Sequence, residues 1–197
     1  MLVHDGPDLL SGTSAGAAAG AGDAGLSAPP GWTESVEREW LPKIAATLVP
    51  FESRRAALEE RVPGARVEVV RPAVDLDHFS PGTGSGHGLA YVGGTASCAS
   101  RDALEHFAAD ILPRLRSASG VQALEPISWI GPAREGDRQR YRGRGIDVTG
   151  YVEDIRPIVR PAACFVVPRR IEGGQSRILQ AWAMGKAVVS TSVGCAG

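Results

Sequence analysis

Ile171-Glu172-Gly173-Gly174-Gln175-Ser176-Arg177-Ile178-Leu179-Gln180-Ala181-Trp182-Ala183-Met184-Gly185-Lys186, followed by Ala187-Val188-Val189-Ser190-Thr191, is the stretch whose reading decides the fold. An acidic residue, two glycines and a polar pair run directly into an apolar helical segment that stops at Gly185, and a buried strand follows. The first N–H groups of a helix have no intrahelical partner and the helix dipole is positive there, so this order of residues can build a phosphate cradle. A serine-capped glycine loop also occurs in many folds, and the segment alone leaves both readings open. The chain stops at Gly197, just after a strand expected to lie centrally in its sheet. That predicts uncovered apolar faces and marginal stability.

Working outward, the same grammar repeats. Leu89-Ala90-Tyr91-Val92 reads as a strand closing on Gly93-Gly94, and residues 102–117 as a helix with apolar residues at three- and four-residue intervals. Pro113 predicts a kink near the end of that helix. Strands follow at 127–131, 146–150, 164–168 and 187–191, with helices at 154–159 and 175–184. Continuous apolar strands alternating with helices argue for an α/β fold, a doubly wound parallel Rossmann-like sheet covered on both faces. Before it, residues 33–43 read as a helix capped by Thr33, 46–50 as a strand, 53–61 as a helix and 66–70 as a strand. Residues 1–30 read as a disordered low-complexity tail, because 12–30 are almost all Gly, Ala, Ser, Thr and Pro. The Pro- and Gly-rich passage over 71–88 is the domain boundary, with 31–70 on one side and 89–197 on the other.

Composition excludes several classes. The formal net charge of −1 argues against a nucleic-acid partner held by counterion release. No basic n-region or dense apolar run marks a signal peptide, and no segment is long enough to span a bilayer. Cys98, Cys164 and Cys195 are an odd number without C-x-x-C spacing, which favours a reducing cytoplasm over disulfides or zinc. The four histidines make no nucleophile–base pair: His78 sits in the boundary passage, His106 on the exposed side of a helix, and His4 and His87 in flexible segments.

Four segments in order carry a resemblance. Val69-Val70-Arg71-Pro72-Ala73-Val74-Asp75-Leu76-Asp77-His78-Phe79, Leu89 through Gly94, Val148-Thr149-Gly150-Tyr151-Val152-Glu153-Asp154-Ile155-Arg156-Pro157, and Glu172 through Gly185 together resemble retaining glycosyltransferases of the two-Rossmann-domain GT-B class that build polysaccharide. The resemblance implies that 89–197 is most of a nucleotide-sugar-binding domain, incomplete at its C-terminus, and that 31–70 is a remnant of the acceptor domain. It implies a nucleotide-diphosphate sugar as donor, a glycan or lipid-linked acceptor and no metal. A partner chain supplying the acceptor domain is an option. It further implies a cytoplasmic location, with a peripheral position at the inner membrane face as an option.

The implied site follows residue by residue. Gly173, Gly174, Gln175 and Ser176 would cradle the diphosphate, joined by Arg177 and, less directly, Arg170. Gly93 and Gly94 form the first loop, after which Arg101 is the candidate basic residue. Tyr151 and Val152 lie by the base. Glu172 stands at the first acid of the family's E-x7-E motif and would stabilise charge at the donor sugar, the catalytic role. Gln180 departs from the second acid. Its amide still accepts from a ribose hydroxyl, but a neutral bond is worth about 0.5–1.5 kcal/mol against about 1.5–3 for a charged one, so donor binding should weaken by about tenfold. A chain without its acceptor half should not orient an acceptor, so catalysis is expected only when that half is supplied. The rival readings are a non-catalytic nucleotide-sugar-binding module and an inactive fragment.

Overall fold

The computed structural model describes residues 2–3, 32–82, 86–118, 125–171 and 175–195, with backbone alone for 2, 3, 32, 33 and 175. The chain divides into two compact units, Met1–Pro72 and Ala73–Ala196.

The first unit begins with β1 (Leu2–Val3), α1 (Trp32–Trp40) and a 3-10 turn at Leu41–Lys43. It continues through β2 (Thr47–Val49), α2 (Glu52–Arg61) and β3 (Val67–Val69). Its three strands are parallel in the order β1-β2-β3, with Thr47 opposite Val67. Leu41, Val49, Leu58, Val62 and Val67 form its core. Two expectations change here. Leu2 and Val3, inside the expected tail, pair with Thr47 and Leu48, because backbone hydrogen bonding along a sheet edge needs no compositional bias. The rest of the tail, 4–30, lies outside the described residues. α1 starts at Trp32, so Thr33 falls within its first turn and not at its cap.

The second unit contains β4 (Leu89–Val92) and then α3 (Cys98–His106), which runs through a wide π turn over Phe107–Ile111 into α4 (Leu112–Ser117). There follow β5 (Ile127–Ile130), α5 (Asp137–Arg142), β6 (Ile146–Gly150), α6 (Arg156–Val159), β7 (Cys164–Val167), α7 (Gln175–Ala183) and β8 (Ala187–Ser190). All five strands are parallel in the order β6-β5-β4-β7-β8. This is the doubly wound α/β sheet expected from the alternation. The central strand β4 splits its side chains by parity. Leu89 and Tyr91 join Leu104, Phe107, Leu112, Trp129 and Tyr141 on the face covered by α3, α4 and α5. Ala90 and Val92 join Val159, Ile178, Ala181 and Met184 on the face covered by α6 and α7.

Local differences from the sequence reading have physical causes. α3 starts four residues before residue 102, because the Ser97 hydroxyl caps it by accepting from Ser100 N–H at 3.2 Å. Pro113 widens the preceding turn instead of breaking the helix: Leu112 N–H donates five residues back to Phe107 O. α5 was not anticipated, since its one buried side chain, Tyr141, gives no periodicity. His106, expected on an exposed face, is half-buried and pairs with Asp110 at 2.9 Å. β8 is an edge strand among the described residues, not a central one, and Val189 on it is 64% exposed.

The boundary passage is bonded onto the second unit from Ala73 onward. The Asp75 carboxylate accepts from the N–H groups of Asp77 and His78 at 2.9 and 3.0 Å, and Phe79 packs on the second core. Arg160 donates to Ser80 O and to the Ser80 hydroxyl, both at 3.1 Å.

Candidate functional site

Strand order places the site. β4 comes first in this unit and lies centrally; β5 and β6 build outward on one side, and β7 and β8 on the other. The connections after β4 and β7 therefore depart to opposite faces and leave a crevice at the C-terminal ends of these strands, where open α/β sheets bind ligands. Two adjoining cavities fill that position. The smaller, about 100 Å³, is walled by Tyr91, Val92 and Gly93 from β4, by Phe165, Val167 and Arg169 from β7 and its extension, and by Ser176 and Arg177 from the start of α7. The larger, about 260 Å³, is walled by His78 and Phe79, by Val92, Ile130 and Gly131, and by the loop from Tyr151 to Ile155. Val92 and Arg177 line both.

The first glycine loop contributes shape more than donors. The N–H groups of Gly93 and Gly94 both donate to Ile130 O, at 2.8 and 2.9 Å. Gly94 has φ +64°, and a Cβ there would collide with Pro132 O and lie 2.7 Å from the carbonyl carbon of Gly131. The buried Trp129 indole N–H donates to Gly94 O at 2.9 Å and ties the loop to β5. Gly93 walls the small cavity, whereas Arg101 lines neither cavity and sits in the first turn of α3.

The start of α7 brings the polar groups together. Gln175 opens the helix, Ser176 and Arg177 face the small cavity, and Arg177 reaches the large one as well. Arg177 also donates to the Gln180 amide oxygen at 3.0 Å, so the residue at the second-acid position holds the arginine through a neutral acceptor and not through an ion pair. Glu172, Gly173 and Gly174 lie outside the described residues. Of the two adjacent arginines, Arg170 is engaged by Asp102 on α3, its Nε donating at 3.1 Å. Arg169 lines the small cavity instead. Strand parity carried that signal: Phe165, Val167 and Arg169 are two apart and all face the cavity, while Arg170 is out of phase.

The large cavity has an aromatic and acidic mouth. Tyr151 is 78% exposed at its rim, beside Val152 and Glu153. Asp154 is locked by Arg156, whose Nε and backbone N–H donate to its Oδ1 at 2.8 and 2.9 Å. The Arg156 side chain holds the Asp154 carboxyl down at about 2, against an ordinary 3.8. The same guanidinium donates to His78 O at 3.1 Å and so fixes the opposite wall. His78, placed in the boundary passage by its sequence context, and Phe79 meet edge to face with ring centres 4.7 Å apart. Their place in this wall depends on the Asp75 turn, which short-range sequence patterns do not aim.

The arrangement suits an elongated ligand: a planar, partly apolar group by Tyr151 and Phe79, and an anionic group between Arg169, Arg177 and the start of α7. Comparison with known proteins gives the same neighbourhood. A family model described as glycosyl transferases group 1 matches residues 86–197, more than half of the chain. By sequence, none of the curated proteins matches the chain. Among solved structures, a TarM variant from S. aureus, in complex with fondaparinux, alpha-GlcNAc-glycerol and UDP, superposes with TM-score 0.63 at 15% identity, covering 82% of this chain and 32% of that one. Anabaena Alr3699/HepE, in complex with UDP and glucose, gives 0.60 at 13%, covering 83% and 49%. Sucrose-phosphate synthase from Thermosynechococcus elongatus gives 0.63 at 18%, covering 82% and 44%. These likenesses show the fold, and the chain spans about a third to a half of those proteins.

Proposed function

Because the chain belongs to the glycosyl transferases group 1 family, we propose that its second unit binds a nucleotide-diphosphate sugar and presents the sugar for transfer, with retention, to a glycan or lipid-linked acceptor. The observation that carries this reading is the pair of adjoining cavities at the switch point of the sheet, joined by Arg177. The larger would take the base and ribose, with Tyr151 and Val152 against the base and Gln180 toward the ribose. The smaller would take the diphosphate, held by Arg177, Ser176 and the first N–H groups of α7. Glu172 would stabilise charge at the sugar as the bond to phosphate breaks. Guanidinium groups and a helix N-terminus neutralise a leaving diphosphate by electrostatic means alone, so this reading calls on no metal ion. The complexes of HepE with UDP and glucose and of TarM with UDP support it by analogy of fold. Transfer also needs an acceptor oriented against the sugar.

A second reading, a binding module without catalysis, is favoured by one contact: Gln180 offers a neutral amide where the family has an acid, and that amide is already used by Arg177. Calorimetry with UDP, GDP, UDP-glucose and GDP-mannose tests what both readings share. At least one should bind, and Arg177→Ala should weaken it by about ten- to a hundredfold, the range for charge-assisted hydrogen bonds. Failure of all four at millimolar concentration would overturn both. Transfer or donor hydrolysis that Glu172→Ala abolishes selects the enzyme, and binding without either selects the module.

A further inference from the structure

The small cavity contains two donors that the folded protein leaves unused. Tyr91 is 2% exposed, yet its hydroxyl has no hydrogen-bond partner among the described residues, and the Nε of Arg169 is likewise buried and unpartnered. Native proteins rarely leave such groups orphaned, because each has given up water without replacement. Both residues line the same cavity, beside Ser176 and Arg177 at the start of α7.

Resting on the nucleotide-sugar reading, we propose that the Tyr91 hydroxyl and the Arg169 guanidinium are additional ligands of the diphosphate, donating to phosphoryl oxygens that enter the cavity between β4, β7 and α7. Three observations support the assignment. First, the phenol is preset. Its ring stacks on Trp129 with centres 3.9 Å apart and planes 24° apart, and Trp129 is fully buried. Second, Gly93 leaves the hydroxyl its place at the cavity wall, for a Cβ there would lie 2.5 Å from the hydroxyl oxygen. Third, the described residues lining the cavity include two guanidinium groups and no carboxylate, and its volume of about 100 Å³ exceeds what one water needs and accommodates a phosphoryl group. Burial pushes the Tyr91 phenol up, outweighing the nearby positive charges of Arg169 and Arg177 that pull it down, so it remains a protonated donor. Ser100 stands near the phenol outside hydrogen-bond geometry, its own hydroxyl meeting that of Ser97 at 3.0 Å.

Tyr91→Phe keeps the ring and the stack and removes only the donor. Calorimetry with UDP, GDP and inorganic pyrophosphate should show about tenfold weaker binding, and Arg169→Gln should weaken the same probes. Uridine and guanosine, which lack phosphate, should bind the wild type and Tyr91→Phe alike. The ligand-free Tyr91→Phe protein should melt at or above the wild-type temperature, since the variant buries one orphan fewer. Unchanged diphosphate affinity in Tyr91→Phe, with the wild type binding normally, overturns this inference and leaves the proposed function standing. So does a lower melting temperature with unchanged affinity, which would mean that Ser100 satisfies the phenol in solution. If the wild type binds none of the nucleotides, the nucleotide-sugar reading falls and this assignment falls with it.

Discussion

Gly94→Ala probes the point where fold and site meet. Gly94 has φ +64°, and an added Cβ would run into Pro132 O and approach the carbonyl carbon of Gly131 and the nitrogen of Pro132 to 2.7 Å. All three are backbone atoms, so no side chain can swing aside. Two terms add. A left-handed conformation costs a residue with a Cβ about 1–2 kcal/mol, and forced crowding of a packed region costs about 1–3 kcal/mol. The sum, about 2–5 kcal/mol, is a large part of the ~5–15 kcal/mol that holds a domain together. Gly136→Ala is the internal control: its φ is +80°, but nothing lies within 4 Å of its added Cβ, so only the conformational term applies. Urea unfolding followed by tryptophan fluorescence is the assay, because the fully buried Trp129 donates its indole N–H to Gly94 O and reports on this contact. Gly94→Ala should be less stable than Gly136→Ala by about 1–3 kcal/mol, and only Gly94→Ala should weaken nucleotide binding, since Gly93 moves with it. Equal losses in the two variants, within about 0.5 kcal/mol, would refute the argument from close approach.

Further predictions concern charge. Glu37 is 7% exposed, its carboxylate oxygens make no hydrogen bond among the described residues, and burial pushes its carboxyl up although Arg61 stands 3.9 Å away. The folded state therefore binds this proton more tightly than the unfolded state. Its contribution to stability is full below the ordinary 4.5 and is lost as pH rises through the folded value. Glu37→Met should raise stability at pH 7 by about 1 kcal/mol and the gain should fade below pH 4.5, read from urea midpoints at the two pH values. Asp154 runs the opposite way: held at about 2 by Arg156, it contributes stability above 3.8 that is lost as pH falls toward 2. Asp154→Asn should flatten that acid limb in a pH titration of the melting temperature. By freeing Arg156 from one wall of the large cavity, it should also weaken nucleotide binding at pH 7.

Much of the fold was legible because each element announces itself locally. β4 and β7 are apolar runs of four residues and β5 is one broken only by Ser128, each ending at glycine or proline, and α7 is an amphipathic segment stopped by Gly185. Where local signal was thin, the reading failed. α5 carries three arginines and acidic or polar residues around a single anchor, Tyr141, and two-residue β1 has no pattern at all. Part of the crevice lining was legible in the same way. Tyr151, Val152, Ser176 and Arg177 were found from motifs and do meet at the crevice. Arg101 followed a glycine loop, as the motif asks, yet lines neither cavity, because early capping by Ser97 carries it into α3.

The amino-acid sequence by itself determined that the chain forms alternating strands and helices with glycine loops ahead of the helices, because those properties depend on periodicity and on backbone freedom over a few residues. Only the tertiary structure decided that β4 is the central strand, that the switch point falls between β4 and β7, and that Arg169, not Arg170, lines the crevice there. It also decided that β8 lies at an edge and that the Gly93 and Gly94 N–H groups are taken by Ile130. The same holds for the opening segment. Its helix was written in residues 175–184, but the anion pocket at its start is walled by β4 and β7, more than eighty residues and about ten residues away in the chain. Strand order and side-chain proximity are set by which apolar faces close against one another, a long-range choice that no window of sequence contains.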